Sequence, residues 1–131
     1  MRRGFTLIEI IIVIIIIGIL AAVGISQYSA VVEKARWAEA KMVLGTLRSA
    51  QIAVYLENGA YVAAISDLGV DAPTTCQSSY YFSYECRPSE VPPYCFGKRC
   101  VSGGKTPNWS HRYDVHLWFN GTWGNNWPDG P

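Results

Sequence analysis

The feature that most limits how this chain can fold is an uninterrupted apolar segment near its N-terminus. Residues 10–25 include no charged or hydrogen-bonding side chain, and the first eight are all β-branched aliphatics. Counted from Phe5 the segment is 21 residues long, so as a helix it spans about 30 Å, the thickness of the hydrocarbon core of a bilayer. Because backbone groups in lipid have no partners except one another, we predict a membrane-spanning helix.

Two general interpretations of this segment follow from the residues alone. A cleaved secretory signal would use Arg2 and Arg3 as its basic start and Ala21-Ala22-Val23 as a poor cleavage site, but the apolar stretch is too long for one. A plain membrane anchor fits the length and places the two arginines in the cytoplasm. It does not explain the acidic residue Glu9, which stands just before the aliphatic run.

Glu9 is the residue that carries most information. A carboxylate several residues inside a membrane span costs on the order of 2–3 kcal/mol or more, so such residues are candidates for function. The alternative is that Glu9 lies near the end of the span and reaches the headgroups.

The string Arg3-Gly4-Phe5-Thr6-Leu7-Ile8-Glu9, followed by aliphatic residues, resembles the prepilin cleavage and methylation motif of type IV pilins and type II secretion pseudopilins. The resemblance covers about the first quarter of the chain. It implies that prepilin peptidase cleaves between Gly4 and Phe5 and N-methylates Phe5. It also implies that Glu9 pairs with the N-terminal amine of a neighbouring subunit during filament assembly. The chain departs from many family members in having Ser26 where they have a proline.

A single helix is predicted from Phe5 to Asn58, about 80 Å long. No proline occurs before Pro73, and Asn58-Gly59 is a C-cap signal. Residues 1–4 would be the leader, 5–25 the membrane or filament-core half, and 26–59 an amphipathic half. Apolar residues keep a helical period in that second half, at Ala40, Val43, Leu44, Leu47, Ala50 and Val54.

Residues 60–131 are predicted to form a β-rich head packed on the amphipathic half of the helix. The segment 80–85 is rich in strand formers, and residues 115–119 and 122–123 flank Asn120-Gly121, a preferred two-residue hairpin turn. We expect an antiparallel sheet of three or four strands and an α+β, pilin-like fold. Residues 125–131 are predicted to be a poorly ordered end.

Four cysteines, Cys76, Cys86, Cys95 and Cys100, all lie in the head. An even number behind an export segment indicates disulfides in an oxidising compartment. A four-thiolate zinc site is the alternative, although only Cys95 and Cys100 have a suitable spacing. Of the three connectivities, we favour Cys76–Cys86 and Cys95–Cys100, because each closes a local loop.

Composition limits the functional classes. Removal of residues 1–4 changes the formal charge from +1 to −1, and no basic stripe indicates a specific nucleic-acid partner. No Ser/His/Asp, Cys/His or paired-carboxylate pattern indicates an enzyme, and no cofactor or metal is expected. Trp109, Trp118, Trp123 and Trp127 either fill a thin core or form an exposed contact surface.

The resemblance of the N-terminal motif therefore implies a structural subunit of a type IV pilus. It would be a single-pass protein of the bacterial inner membrane with a cytoplasmic N-terminus, and then part of an extracellular homo-oligomeric filament. Its partners would be prepilin peptidase and the pilus assembly machinery. The alternatives are a pseudopilin in a periplasmic pseudopilus and a membrane-tethered adhesin or binding module.

Overall fold

A computed structural model describes residues 4–127 apart from the side chain of Ser26. The described elements are helix α1 (Leu7–Asn58), a short 3-10 helix (Ile65–Leu68) and strands β1 (Phe82–Arg87), β2 (Tyr94–Arg99), β3 (Asp114–Trp118) and β4 (Trp123–Asn125). The strands form one antiparallel sheet in the order β1-β2-β3-β4. The predicted α+β fold, a long helix with a small antiparallel sheet, is confirmed.

Helix α1 is continuous and begins at Leu7, two residues later than predicted. It ends at Asn58 as expected, where Gly59 takes a positive φ of 72° and its N–H donates to the Tyr55 carbonyl at 2.8 Å. This left-handed residue after the last turn is the usual role of glycine at a helix end. The chain forms two compact units, one ending at Lys34 and the other beginning at Ala35.

The core of the C-terminal unit forms between one face of α1 and the inner face of the sheet. Ala40, Leu44 and Leu47 are fully buried in one cluster with inward-facing strand residues. The register places Tyr84, Gly97 and Val115 side by side on that face. A Cβ at Gly97 would lie 3.0 Å from the Tyr84 ring, so glycine leaves the space that this buried ring occupies.

Arg99 is a fully buried charged residue at the end of β2. Its guanidinium donates hydrogen bonds to the carbonyls of Tyr81 at 3.2 Å, Cys100 at 3.0 Å and Pro107 at 3.1 Å. A buried charge is tolerated only when such bonds replace its hydration. Arg99 therefore holds the segments before β1 and after β2 against the sheet.

The predicted disulfide pairing is wrong, although the prediction of disulfides is correct. The structure pairs Cys76 with Cys100 and Cys86 with Cys95. Residues 95–99 belong to a strand rather than a tight loop. In an extended chain the Cα atoms of Cys95 and Cys100, which are five residues apart, would be separated by about 16 Å, which is too far for a disulfide. Cys86 instead lies directly opposite Cys95 in the β1–β2 ladder. With all four sulfurs in disulfides, the zinc alternative is also wrong.

The predicted two-residue hairpin turn is also wrong: four residues separate β3 from β4, and the backbone pair that closes the loop, Trp118 and Thr122, encloses three of them, Phe119 to Gly121. The Trp118 N–H donates to Thr122 O, the Gly121 N–H donates to Trp118 O, and Gly121 has a positive φ of 95°. This is a type I turn followed by a glycine bulge. The buried Phe119 leaves the strand because its ring packs edge-on against Tyr61, with ring centroids 4.6 Å apart.

The predicted poorly ordered end is wrong for residues 125–127, while residues 128–131 lie outside the described part of the chain. Asn125 is the last residue of β4. Asn126 donates from its backbone N–H and its side-chain amide to the backbone and carboxylate oxygens of Asp114, both at 3.2 Å. The Trp127 ring lies 4.0 Å from the Tyr113 ring, so aromatic packing fixes this segment.

Combined digestion with trypsin and a glutamyl endopeptidase, without reduction, tests the disulfide pairing. The four cysteines then lie on separate peptides, residues 58–85, 86–90, 91–98 and 100–105. Mass spectrometry should recover 58–85 linked to 100–105 and 86–90 linked to 91–98. Recovery of 58–85 linked to 86–90 would contradict the pairing described above.

Candidate functional site

The bond between Gly4 and Phe5 lies outside the helix. Residues 4–6 are not helical, α1 begins at Leu7, and the Phe5 side chain is 83% exposed. A peptide bond must leave helical structure to enter a protease active site, because helical hydrogen bonds occupy the backbone groups that the enzyme would bind. The predicted cleavage site therefore lies in an accessible, non-helical segment.

Thr6 and Glu9 form a reciprocal capping arrangement at the start of α1. Glu9 Oε2 accepts hydrogen bonds from the Thr6 backbone N–H and from the Thr6 hydroxyl, each at 2.8 Å. The Glu9 N–H in turn lies 3.4 Å from Thr6 Oγ1 and 3.1 Å from the Thr6 carbonyl. This is a capping box, which satisfies backbone donors that a helix start otherwise leaves unpaired.

The cap gives Glu9 a role that the sequence interpretation missed. Thr6 was recognised only as part of the motif, yet the pattern of Thr, two residues and Glu before an apolar run is itself a capping signal. The negative carboxylate also lies at the positive end of the helix dipole, which stabilises it. Both hydrogen bonds go to Oε2, and Oε1 of Glu9 accepts none from the described residues.

The side chains that follow Glu9 form a continuous exposed apolar surface on the N-terminal unit. Every isoleucine between Ile8 and Ile25 is exposed, by 42% to 74%. By length and composition, α1 is able to cross a membrane. Contiguous apolar surface of this size marks a membrane or protein contact.

The sheet of the C-terminal unit has an outer face with a second cluster of aromatic and charged side chains. Tyr94 and His116 stack at 5.3 Å, and the Trp118 ring lies 5.9 Å from Tyr94. A Cβ at Gly124 would lie 2.6 Å from the Trp118 indole, so that ring lies against β4 only because residue 124 is glycine. Of the four tryptophans proposed from sequence, Trp118 lies on this face.

The other three tryptophans occupy different places. Trp109 and Trp127 pack partly buried against the core. Trp123 is 42% exposed, and the Lys41 ammonium lies between its ring, at 5.0 Å, and the ring of Trp37, at 3.7 Å. The tryptophans therefore divide between core packing and surface contacts.

Three charged side chains of the outer face form a connected set of ion pairs. Glu85 accepts hydrogen bonds from Arg87 at 3.0 Å and from Lys98 at 3.3 Å. Burial by itself would raise the pKa of the Glu85 carboxyl, but the two cations together lower it. Such half-exposed pairs contribute little to stability. They keep the face polar and hydrated.

His116 is a partly buried titratable group on this face. Its Nε2 atom is buried without a hydrogen-bond partner among the described residues. Burial lowers the pKa of the imidazole, the Arg87 charge acts in the same direction, and Asp114 opposes both. The neutral imidazole is therefore the form that packs between the aromatic rings.

Comparison with known proteins identifies the class. The sequence profile described as "Prokaryotic N-terminal methylation motif" matches residues 1–25. A "Fimbrial protein" of Neisseria meningitidis is 32% identical over 125 residues, which cover 92% of this chain and 74% of the relative. The "Type IV major pilin protein PilE" of Neisseria gonorrhoeae is 30% identical over a segment that covers 92% of this chain and 75% of the length of that relative. The "Type IV major pilin protein PilA" of Myxococcus xanthus is 40% identical over a segment that covers 52% of this chain and 31% of the length of that relative.

The helix, the sheet and the methylation motif thus define a pilin-like subunit. The matches over most of the chain then show that this protein belongs to the type IV pilin family.

Replacement of Thr6 by Val tests the cap, because valine keeps the shape and removes the hydroxyl. We expect the substitution to reduce the free energy that stabilises the first turn of the helix by about 1 kcal/mol. Amide hydrogen exchange at residues 7–10 of the full chain in micelles should then be about fivefold faster. Thr6→Ser, which keeps the hydroxyl, should behave as wild type, and unchanged exchange in Thr6→Val would contradict the capping role.

The lowered pKa of His116 predicts a pH dependence of the head. As the pH falls through about 6.5, the usual imidazole pKa, His116 of the unfolded chain binds a proton. In the folded chain the same imidazole binds this proton less readily, because burial lowers its pKa. The free energy of unfolding should therefore decrease on acidification. Thermal unfolding at several pH values should show this decrease in wild type and in His111→Phe, whose histidine is exposed. In His116→Phe the decrease should be smaller than in wild type. A decrease equal to that of wild type would contradict the assignment of this pH dependence to His116.

Proposed function

We propose that this protein is the structural subunit of a type IV pilus, assembled through its N-terminal helix after removal of residues 1–4. The observation that carries the proposal is the arrangement at the N-terminus. An accessible Gly4–Phe5 bond precedes a capped helix whose next two to three turns consist of exposed isoleucine and valine. A subunit that must be cut and then packed into an apolar bundle requires each of these features.

Processing is the first step of the proposal. Prepilin peptidase cleaves between Gly4 and Phe5 and methylates the new amine of Phe5. A Cβ at Gly4 would meet no described atom within 4 Å, so the fold of the subunit does not itself require glycine there. This supports a role for Gly4 in recognition by an external enzyme.

Pairing of Glu9 with a neighbour is the second step. Cleavage creates a positive amine at Phe5, one residue before Thr6, and the Glu9 carboxylate has an oxygen that the cap does not use. Between copies in an apolar bundle, the attraction of amine and carboxylate is screened less than in water. Their desolvation offsets much of that gain, whereas an unpaired buried carboxylate is strongly unfavourable. The pair therefore selects the register between subunits.

The proposed cellular location follows from the apolar N-terminal segment and from the disulfides of the head. Before assembly the apolar segment anchors the chain in the bacterial inner membrane, with residues 1–4 on the cytoplasmic side where the peptidase and the assembly machinery act. After assembly the chain is part of an extracellular filament of identical subunits. The two disulfides of the head support exposure to an oxidising compartment.

The relatives favour this role over the two alternatives. They are named as fimbrial proteins and major pilins, which supports a surface pilus rather than a secretion pseudopilus. A membrane-tethered binding module would need the anchor but neither the cleavage motif nor Glu9. The proposal includes no catalytic role.

The experiment is mass spectrometry of the protein from its native host, combined with filament yield for Glu9 variants. We expect loss of residues 1–4 and one methyl group on the Phe5 amine. Glu9→Ala should insert into the membrane normally and reduce sheared filaments by about tenfold or more, because the neighbour's amine then has no partner. Glu39→Ala, an exposed carboxylate on the same helix, is the control and should assemble normally. An intact leader, or wild-type yield for Glu9→Ala, would contradict the proposal.

A further inference from the structure

Three positively charged side chains converge on the ring of Tyr81, the residue before strand β1, and together with it form what we name the Tyr81 cluster. The Arg36 guanidinium carbon lies 4.6 Å from the ring centroid, the Lys105 ammonium nitrogen 5.1 Å and the Arg99 guanidinium carbon 5.2 Å. Any two of these charges are therefore at most about 10 Å apart, which is one Debye length at 0.1 M salt. They come from helix α1, the end of β2 and the loop after it, so the fold creates this concentration of positive charge.

The Tyr81 ring stabilises these cations without neutralising them. The face of an aromatic ring has partial negative charge and attracts a cation, but the ring has no net charge. Arg99 is fully buried and donates its hydrogen bonds to backbone carbonyls, which are neutral as well. Because a charge inside the protein is screened less than one in water, Arg99 adds to the positive potential at the neighbouring surface. Such a potential attracts anions.

Two donors of the Tyr81 cluster are available to a ligand from solvent. The exposed Lys105 ammonium makes no hydrogen bond and no ion pair within the described residues. The Tyr81 hydroxyl also has no partner between residues 4 and 127, and it is not one of the buried polar atoms. Lys98 differs, because its ammonium lies over the Phe96 ring but is also bound to Glu85.

The donors of the cluster indicate the class of anion. An ammonium, a guanidinium and a hydroxyl from three separate residues are matched by an anion with three acceptor oxygens. A phosphate monoester has three such oxygens and a charge of about −1.5 to −2 at pH 7. A carboxylate or a phosphodiester has only two free oxygens and a single charge. The guanidinium of Arg36 has five N–H donors, so it can bind phosphate in addition to partners within the chain.

We propose that the Tyr81 cluster binds a phosphate monoester, such as the phosphate group of a sugar phosphate. Lys105 and the Tyr81 hydroxyl donate hydrogen bonds to phosphate oxygens, and Arg36 adds a charged donor. Arg99 contributes its charge from inside the fold without contacting the ligand. All four residues belong to the C-terminal unit, so binding is a property of the single subunit and does not depend on filament assembly.

Titration of the full chain in neutral detergent micelles, followed by the amide NMR shifts of residues 81 and 105, tests the site. Glucose 6-phosphate should give saturable shifts. Glucose 6-sulfate, which has one negative charge, should bind about fivefold more weakly, and glucose should not bind. Lys105→Gln should weaken binding of glucose 6-phosphate by about tenfold, because a charge-assisted hydrogen bond is lost. Tyr81→Phe, which keeps the ring and removes the hydroxyl, should weaken it by about threefold.

Lys41→Gln is the matched control. The Lys41 ammonium also lies over aromatic rings, those of Trp37 and Trp123, and has no acidic partner among the described residues. This variant should bind glucose 6-phosphate as wild type does. The absence of saturable shifts in wild type, or equal weakening in Lys41→Gln and Lys105→Gln, would overturn the proposed site. Binding of glucose 6-sulfate or glucose as tight as that of glucose 6-phosphate would overturn its assignment to a phosphate monoester.

Discussion

The structure depends on one constraint: residues 10–25 have no stable arrangement in water as a single copy. Their side chains are apolar without interruption, and every isoleucine among them is exposed on the subunit. Isoleucine is only a moderate helix former in water, but lipid leaves the backbone no partners outside its own helix. The segment therefore requires first a membrane and then neighbours of the same character. Removal of the subunit from lipid is favourable only when other copies replace the lipid contacts, and this ties release from the membrane to assembly.

Glu9 has one role that is seen in the single subunit and a second that we propose for assembly. In the single subunit its carboxylate caps the helix through Thr6, so part of the hydration it gives up near the membrane is replaced by hydrogen bonds within the chain. The oxygen that the cap leaves unused can accept the amine of a neighbour without loss of the cap. The cap thus lowers the free-energy cost of the carboxylate near the membrane, and in the proposed filament the same side chain would disfavour packing in the wrong register. A residue with only the second role would be considerably less stable before assembly.

Most of the fold could be predicted from the sequence, because the deciding signals are local. The apolar run, the helical spacing of Ala40, Leu44 and Leu47, and the Asn58-Gly59 cap each lie within a few residues of what they determine. The disulfide pairing could not be predicted, because it depends on which strands lie side by side, and local loop closure favoured the wrong partners. The Phe119 loop and the ordered Trp127 depend on packing against Tyr61 and Tyr113, which lie far away in sequence. At the candidate site the motif predicts roles for Gly4, Phe5 and Glu9 that stay predictions, and the capping role of Thr6 was overlooked even though its signal was local.

The distribution of charge in the C-terminal unit indicates which of its surfaces remains exposed to solvent. The outer face of the sheet carries Glu85 bound by Arg87 and Lys98, an arrangement that remains stable in water and gains little from burial. The exposed side of α1, on the other side of the unit's core, has no charged member, and its two hydroxyls are bonded within the helix; it is formed by Ala38, Met42, Thr46, Ser49, Ala53 and Leu56. Burying the outer face of the sheet would require desolvation of four charged side chains, Glu85, Arg87, Lys98 and Asp114, whereas burying this side of the helix would require desolvation of none. Of these two surfaces, the outer face of the sheet is therefore the one that costs more free energy to remove from water.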